Sequence, residues 1–304
     1  FPVVRRGAAA GSGFTASDTS DLLSSTLKLR PCRAILFPRG IVMAARHTPG
    51  ERRQSQPEPI EIAHDVAHPA RVYDYVRGGD DNFTADREVA DFAAAAGSGG
   101  FDHARAAVQA NQAFHARSVT YLAGEAGIRQ FLEIAAWILT EESPHEIAQR
   151  IAPESRVVYA DDDPVVLAHA HTLRKSASKG ATAYVNANLR DPDTILRQAQ
   201  TVLDLDQPLA VVIVAILHHI REEDDPYRIV ARFVDAVPSG SFLVISHLTS
   251  DIIANEVTEA ARRINEQPGF TLVLRTHDQI CRFLDGTEPV PPGLVPVDRW
   301  HAPA

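Results

Sequence analysis

Carboxylates stand at the ends of two apolar runs in this 304-residue chain. The first run, R-Q-F-L-E-I from Arg129, carries Glu133; the second, R-V-V-Y-A from Arg156, leads into Asp161, Asp162 and Asp163 ahead of Pro164. Two parallel strands joined by a helix hold a nucleotide at their C-terminal ends, and an acid after the second strand accepts hydrogen bonds from ribose hydroxyls. Asp161, with Asp162 beside it, is placed for that chemistry. The same acids would also stabilise the N-terminus of a helix opened by Pro164. Glycine is missing. The turn after Ile134 is Ala135, Ala136, Trp137, where a nucleotide-binding turn uses Gly to reach positive φ and to let the ligand approach. A further group, Leu217-His218-His219, closes the apolar run that starts at Leu209. A histidine there offers a general base, or only lines a pocket. No metal site is expected. His218, His219, Glu222, Glu223, Asp224 and Asp225 are close in sequence, but the acids suit the solvated start of a helix, and there is no His-Glu-x-x-His or Cys pairing. His169 and His171 do not share a helix face. No P-loop and no G-x-S-x-G elbow occur.

The elements that must position these residues follow from periodicity and punctuation. Apolar runs at 129–134, 156–160, 181–186, 209–217 and 241–246 predict strands. They alternate with predicted helices near 144–151, 164–176, after Asp191-Pro192, at 225–237 and at 250–266, with Asp191 as N-cap and Pro192 at the first helical position. Five such units argue for a parallel sheet covered by helices on both faces. Three helices precede them: one from Ile60 to about Arg77, stopped by Gly78-Gly79; one from Thr84 to before Gly97; and one over about Asp102 to Ala126. The tail predicts a short strand near 270–274 and a helix near 277–284.

Composition sets outer bounds. Hydrophobic residues are 45% of the chain, enough for a globular core. A net charge of −9 argues against generic binding to nucleic acid or an anionic membrane. Two cysteines, Cys32 and Cys281, give no disulfide framework and point to a reducing, cytoplasmic setting. The run from Leu209 to Leu217 is too short to span a bilayer. Residues 1–53 carry +6 and the remainder −15. Met43 is the only methionine, so residues 1–42 are expected to be upstream sequence outside the translated protein; a basic targeting segment is the other reading.

Residues 70–83 read A-R-V-Y-D-Y-V-R-G-G-D-D-N-F. Further on come Y-L-A-G-E-A-G-I-R-Q-F-L-E-I, R-V-V-Y-A-D-D-D-P-V-V-L-A-H-A, N-L-R-D-P, I-L-H-H-I and P-G-L-V-P-V-D-R-W. Together, over about 65–300, these resemble the bacterial S-adenosyl-methionine-dependent methyltransferase family with an A-R-V-Y-D-Y-L-L-G-G-K-D-N-F signature. The resemblance implies a Rossmann-like class I methyltransferase sandwich, α/β with a mostly parallel sheet, and an N-terminal helical cap. The expected division is a tail lacking structure at 1–58, a cap at 59–127 and the S-adenosyl-methionine-binding domain at 128–304.

The resemblance also assigns residues. Glu133 stands at the acid of a family loop similar to F-L-D-I-G-T-G-L-P-T and could hold the methionine ammonium; Ala135 and Trp137 replace its glycines. Ala135 is tolerable if φ stays negative, and Trp137 either shapes a repurposed pocket or marks a loop that has lost cofactor. Asp161 matches the ribose acid and Asp162 replaces an Asn. Asn188-Leu189 stand where the family acid meets adenine, although Asn188 also suits a turn. Leu217 and His218 end the fourth strand, where the acceptor meets the methyl; His218 is the candidate base. Tyr73, Tyr75, Gly79 and Asn82 are candidates for a lid or substrate contact, while Tyr73 also suits plain packing. Asp80 replaces the signature's Lys. The implied activity is methyl transfer from S-adenosyl-methionine to a small-molecule acceptor, with no nucleic-acid or membrane partner. The alternative is a degenerate, non-catalytic member that binds a partner or ligand.

Overall fold

The predicted apolar runs form one sheet. It is described here from a computed structural model covering residues 3–6, 62–96, 99–135, 137–138, 142–172, 179–252, 255–266 and 270–302. Strands β2 (Gln130–Ile134), β3 (Arg156–Asp161), β4 (Ala181–Asn186), β5 (Ala210–Ile213) and β6 (Phe242–Ile245) are parallel. With β1 (Val3–Arg5) and β7 (Glu288–Pro289) the order is β4-β3-β2-β5-β6-β1-β7. Strand order therefore reverses between β2 and β5, and in open α/β sheets ligands bind in the crevice at such a switch point, beyond the C-terminal strand ends. Side chains alternate between faces. Phe131, Val157, Tyr159 and Val212 share one core cluster, while Leu132, Val158, Val211 and Ile213 share the other.

The covering helices start where the sequence punctuates. α4 (Pro144–Ile151) has Ser143 as N-cap in a capping box with Glu146. α5 spans Pro164–Thr172. α6 (Pro192–Ala199) and α7 (Pro226–Asp235) begin with Asp191 and Asp225 side chains accepting from the N–H groups of Thr194 and Arg228. Each of the four opens on proline, whose missing N–H costs nothing in a first turn. α8 (Asn255–Ile264) and α9 (His277–Cys281) follow.

The cap comprises α1 (Pro69–Arg77), α2 (Thr84–Ala96) and α3 (Gly100–Gly124). The Gly-Gly pair in its signature has two separate causes. Gly78 takes φ 98° and donates to the carbonyls of Asp74 and Tyr75, ending α1. Gly79 lies so close to Asp74 that a Cβ would sit 2.0 Å from Oδ1. Buried Asp74 in turn accepts from Asp81 N (2.9 Å), Asn82 Nδ2 (3.0 Å) and Arg77 Nη2 (2.7 Å). Phe114, Val119 and Leu122 of α3 belong to the same core cluster as Phe131, Val157 and Val212. The expected cap boundary at 127 thus crosses a continuous core.

Several expectations need correction. The first helix starts at Pro69, not Ile60, because His68 takes an extended conformation and caps it. The run at 209–217 leaves the ladder after Ile213: Ala215 has φ 53°, and Leu217–His219 is a single 3-10 turn. Residues 270–274 form no strand; the chain touches the sheet region through an isolated bridge between Thr249 and Arg275. The segment 1–58, expected to lack structure, contributes β1. Val3 and Val4 are buried, and the strand lies antiparallel between β6 and β7. Arg6 follows it, with its guanidinium on the carbonyls of Val234 and Val237 at the C-terminal end of α7, where a cation suits the helix dipole. The rest of 1–58 lies outside the described residues.

Candidate functional site

Glu133 is the penultimate residue of β2 and points toward α3 and α4, on the face shared with Tyr159. It lines a cavity of about 320 Å³ whose walls include Tyr73, Arg77, Asn111, His115, Trp137 and Tyr159. A carboxylate in such a place requires compensation, because desolvating a charge is costly. His115 supplies half of it, with Nε2 2.9 Å from Glu133 Oε2. Oε1 is buried and has no partner among the described residues, although Glu133 is only 4% exposed. This is a buried, unpartnered acceptor on a residue that lines a cavity at the switch point. Sequence reasoning missed His115. The signal was its place on the inward stripe Asn111, His115, Val119, Leu122 of α3, at successive helical turns.

The loop after β2 resolves the missing glycines in an unexpected way. Ala135 has φ 59°, not the negative value that would make it tolerable, and its N–H donates to the carbonyl of Ala160 at 2.8 Å. The left-handed conformation that normally selects glycine is kept by a residue with a Cβ, at about 1–2 kcal/mol. Trp137 forms part of the cavity wall, its ring 3.9 Å from that of Tyr73 at 32°. Arg77 Nη1 donates to the carbonyl of the next residue, Ile138, at 3.2 Å. The cap thus grips the loop twice. Ala136 and residues 139–141 lie outside the described residues. Ala135→Gly is expected to stabilise the chain by about 0.5–1 kcal/mol, since the relieved strain exceeds the extra entropy of an unfolded glycine. Urea unfolding measures it; a loss of stability would mean that no strain resides at Ala135.

At the end of β3, Asp161 is buried and its Oδ1 accepts from Asp163 N at 2.8 Å. Burial pushes its carboxyl well above the usual carboxylate range, against that stabilising N–H. Asp162 is exposed and bound by Asn188 Nδ2 at 2.6 Å. The Asn188 oxygen, which the resemblance directs to adenine, accepts from Arg190 N at 2.9 Å, so the turn reading describes its contacts here. Leu189 and Leu217 are packed in the core cluster of the opposite face. The cap reaches this edge as well. Arg71 Nε and His68 Nδ1 each lie 3.4 Å from Asp163 Oδ2. His68, Asp161 and Asp162 bring ligand atoms within 4.8 Å of one another, a grouping that no local spacing in the sequence reveals.

Beyond β5 the chain turns through Leu217–His219. His218 is buried, its Nδ1 has no partner among the described residues, and burial holds its pKa well below the ordinary histidine value. The ring is therefore neutral. It does not line the cavity that holds Glu133. His219 Nδ1 lies 2.6 Å from the carbonyl of Thr271, and burial lowers its pKa to about 4. His247, just after β6, donates from Nδ1 to the carbonyl of Leu248 and accepts at Nε2 from Arg275 Nη1 (2.8 Å); burial brings it to about 3. Arg275, 1% exposed, ties this region together. Its Nε donates to Glu222 Oε1 (2.8 Å), Nη1 to the carbonyl of Leu217 (2.9 Å) and Nη2 to that of Ile220 (2.9 Å). It thereby fixes both ends of the turn that carries His218.

Of the four lid candidates, Tyr73 reaches the cavity. Its hydroxyl donates to the carbonyl of Val108 and accepts from Asn111 Nδ2, and burial pushes its pKa up to about 12, so it stays protonated. Tyr75 bonds Asp91 and packs edge-on to Phe101, while Asn82 bonds Asp74, the carbonyl of Gly79 and Arg87. With Gly79, these two organise the cap.

The sequence model of a family described as S-adenosyl methyltransferase matches residues 54–304. The chain is similar to a solved DUF574 family protein from Streptomyces avermitilis, with 42% identity and a TM-score of 0.74, over 79% of this chain and 91% of that one. It is also similar to a candidate methyltransferase from Thermobifida fusca, with 34% identity and a TM-score of 0.71, over 82% and 91% of the two chains. No curated protein matches.

Proposed function

The chain belongs to the S-adenosyl methyltransferase family, and we propose that within it the chain methylates a small-molecule acceptor. S-adenosyl-methionine is the family's cofactor; when bound, it supplies a methyl group on a positively charged sulfur. The observation that carries the reading is the free Oε1 of Glu133. It is a buried acceptor with no partner among the described residues, on a residue that lines the cavity at the switch point, and it fits an ammonium. Asp161 and Asp162 at the neighbouring strand end suit a pair of ribose hydroxyls. The pattern of acids from β2 to β3 follows a nucleoside joined to an amino-acid chain.

His218 is assigned to the acceptor side. Its neutral imidazole keeps an acceptor nitrogen, while the burial that lowers its pKa weakens it as a base. Arg275 holds the turn in place, so alignment is this region's first contribution. A net charge of −9 speaks against a nucleic-acid acceptor. No helix among the described residues is long and apolar enough to cross a membrane.

Calorimetric titration with S-adenosyl-methionine and S-adenosyl-homocysteine tests the reading. Micromolar binding is expected, weakened about tenfold by Asp161→Ala, the worth of one hydrogen bond. Unchanged affinity in the variant removes the ribose assignment. No binding by folded wild type favours the non-catalytic alternative.

A further inference from the structure

We propose that the cavity grips a complete α-amino-acid group, with Glu133 on its ammonium and Arg77 on its carboxylate. This rests on the reading above and adds a second anchor to it. The cavity wall carries both signs of charge. Glu133 and Arg77 line it, with His115 behind Glu133 and the exposed Glu142 also contributing to the lining. Glu133 has one oxygen committed to His115 and the other free. A single cationic group needs nothing more than that. A zwitterion also needs a donor fork of opposite charge, and Arg77 provides one.

The side chain of Arg77 is 17% exposed. It commits one N–H to the Ile138 carbonyl and one to Asp74 Oδ1. A guanidinium has five N–H donors, and its planar fork matches a carboxylate. Asp74 pairs with its charge at 2.7 Å, so what the guanidinium offers the cavity is its remaining N–H donors. Tyr73 and Trp137 line the same space and suit the methylenes and cationic sulfur between the charged group and the nucleoside. Arg77 is also where this chain departs from its signature, which has Leu at that position. The loop beside it has lost the glycines that let a backbone approach a ligand. A side-chain donor from the cap substitutes for donors that such a loop offers from its backbone. His115 acts on Glu133 as a positioning residue, holding Oε2 and leaving Oε1 unpartnered among the described residues.

The test compares three ligands on the full chain: S-adenosyl-methionine, its decarboxylated form, and 5′-methylthioadenosine, which lacks the whole amino-acid group. Wild type should bind the first about ten- to hundredfold more tightly than the second. Arg77→Leu should bring that ratio close to one, with little change in affinity for 5′-methylthioadenosine. Glu133→Gln should weaken both amino-bearing ligands and spare 5′-methylthioadenosine. A ratio preserved in Arg77→Leu overturns the carboxylate assignment. Equal affinity of wild type for all three ligands overturns the grip while leaving the cofactor reading standing. Failure of folded wild type to bind any of them overturns both.

Discussion

Arg275→Met should lower the unfolding free energy by about 3–5 kcal/mol. The guanidinium is almost fully buried and serves the carbonyls of Leu217 and Ile220, His247 Nε2 and Glu222 Oε1. Methionine fills much of the volume but donates nothing. Glu222 reaches water, since its side chain is about half exposed, so its loss is small. The two carbonyls and the imidazole nitrogen cannot, and each buried acceptor left without a donor costs about 1–3 kcal/mol. That is a large share of the 5–15 kcal/mol typical of a folded domain. Urea unfolding measures the loss. Arg275→Lys should recover only part of it, because an ammonium is a point donor and the partners surround a planar fork. A loss under about 1 kcal/mol would mean that the turn holds itself and Arg275 is incidental.

Acid should destabilise this chain between about pH 6.5 and pH 3. His219 and His247 have native pKa values lowered to about 4 and about 3, in both cases chiefly by burial; His218 is also held well below the ordinary histidine value by the same cause. The native rings are neutral, whereas the unfolded chain takes up protons below its ordinary value near 6.5. Stability is therefore complete above about pH 6.5 and is lost as pH falls toward the native values, at about 1.4 kcal/mol per pH unit for each histidine. The groups facing these rings reinforce the shift. His219 faces Arg190 and His68, and His247 faces Arg275 and His219. Asp161 works in the opposite direction. Its raised native pKa means that the folded state takes up its proton first, so acid relieves strain there and offsets part of the loss. Urea titrations from pH 8 to pH 4 should show the decline, and His219→Asn should flatten it by about one proton's worth of slope. A flat profile would refute the neutral-histidine account.

What was legible in the sequence was local. Proline marked the starts of two of the sheet-covering helices, at Pro164 and at Asp191-Pro192, and apolar runs marked the strands. The substitutions at Ala135 and Trp137 were legible as an anomaly. How they are accommodated was not, because it depends on a positive φ that Ala rarely adopts and on Tyr73, which sits in another element. The His115–Glu133 pair joins a helix to a strand, and the Arg275 network joins three segments around His247 and Leu217. Neither has a spacing to read. Arg275 itself directly follows the stretch 270–274, where a short strand was expected. Those residues serve as a strap instead, with Val273 N donating to the carbonyl of His218 and Thr271 bonded by His219.

The pairing of Val3 with Val244 has a consequence for how the sheet is assembled. The strand that lies between β6 and β7 precedes, in the chain, every element it touches; the register it fills exists only once β6 is in place, and β7 pairs with β1 alone. Closing so long a loop is entropically unfavourable until the contacts that reward it are formed. The five parallel strands can zip together from neighbours, while β1 must wait as an unpaired, valine-bearing segment. During that interval β6 presents an unpaired edge, and the docking of β1, with β7 following it, is a step of sheet assembly open to competition from other chains.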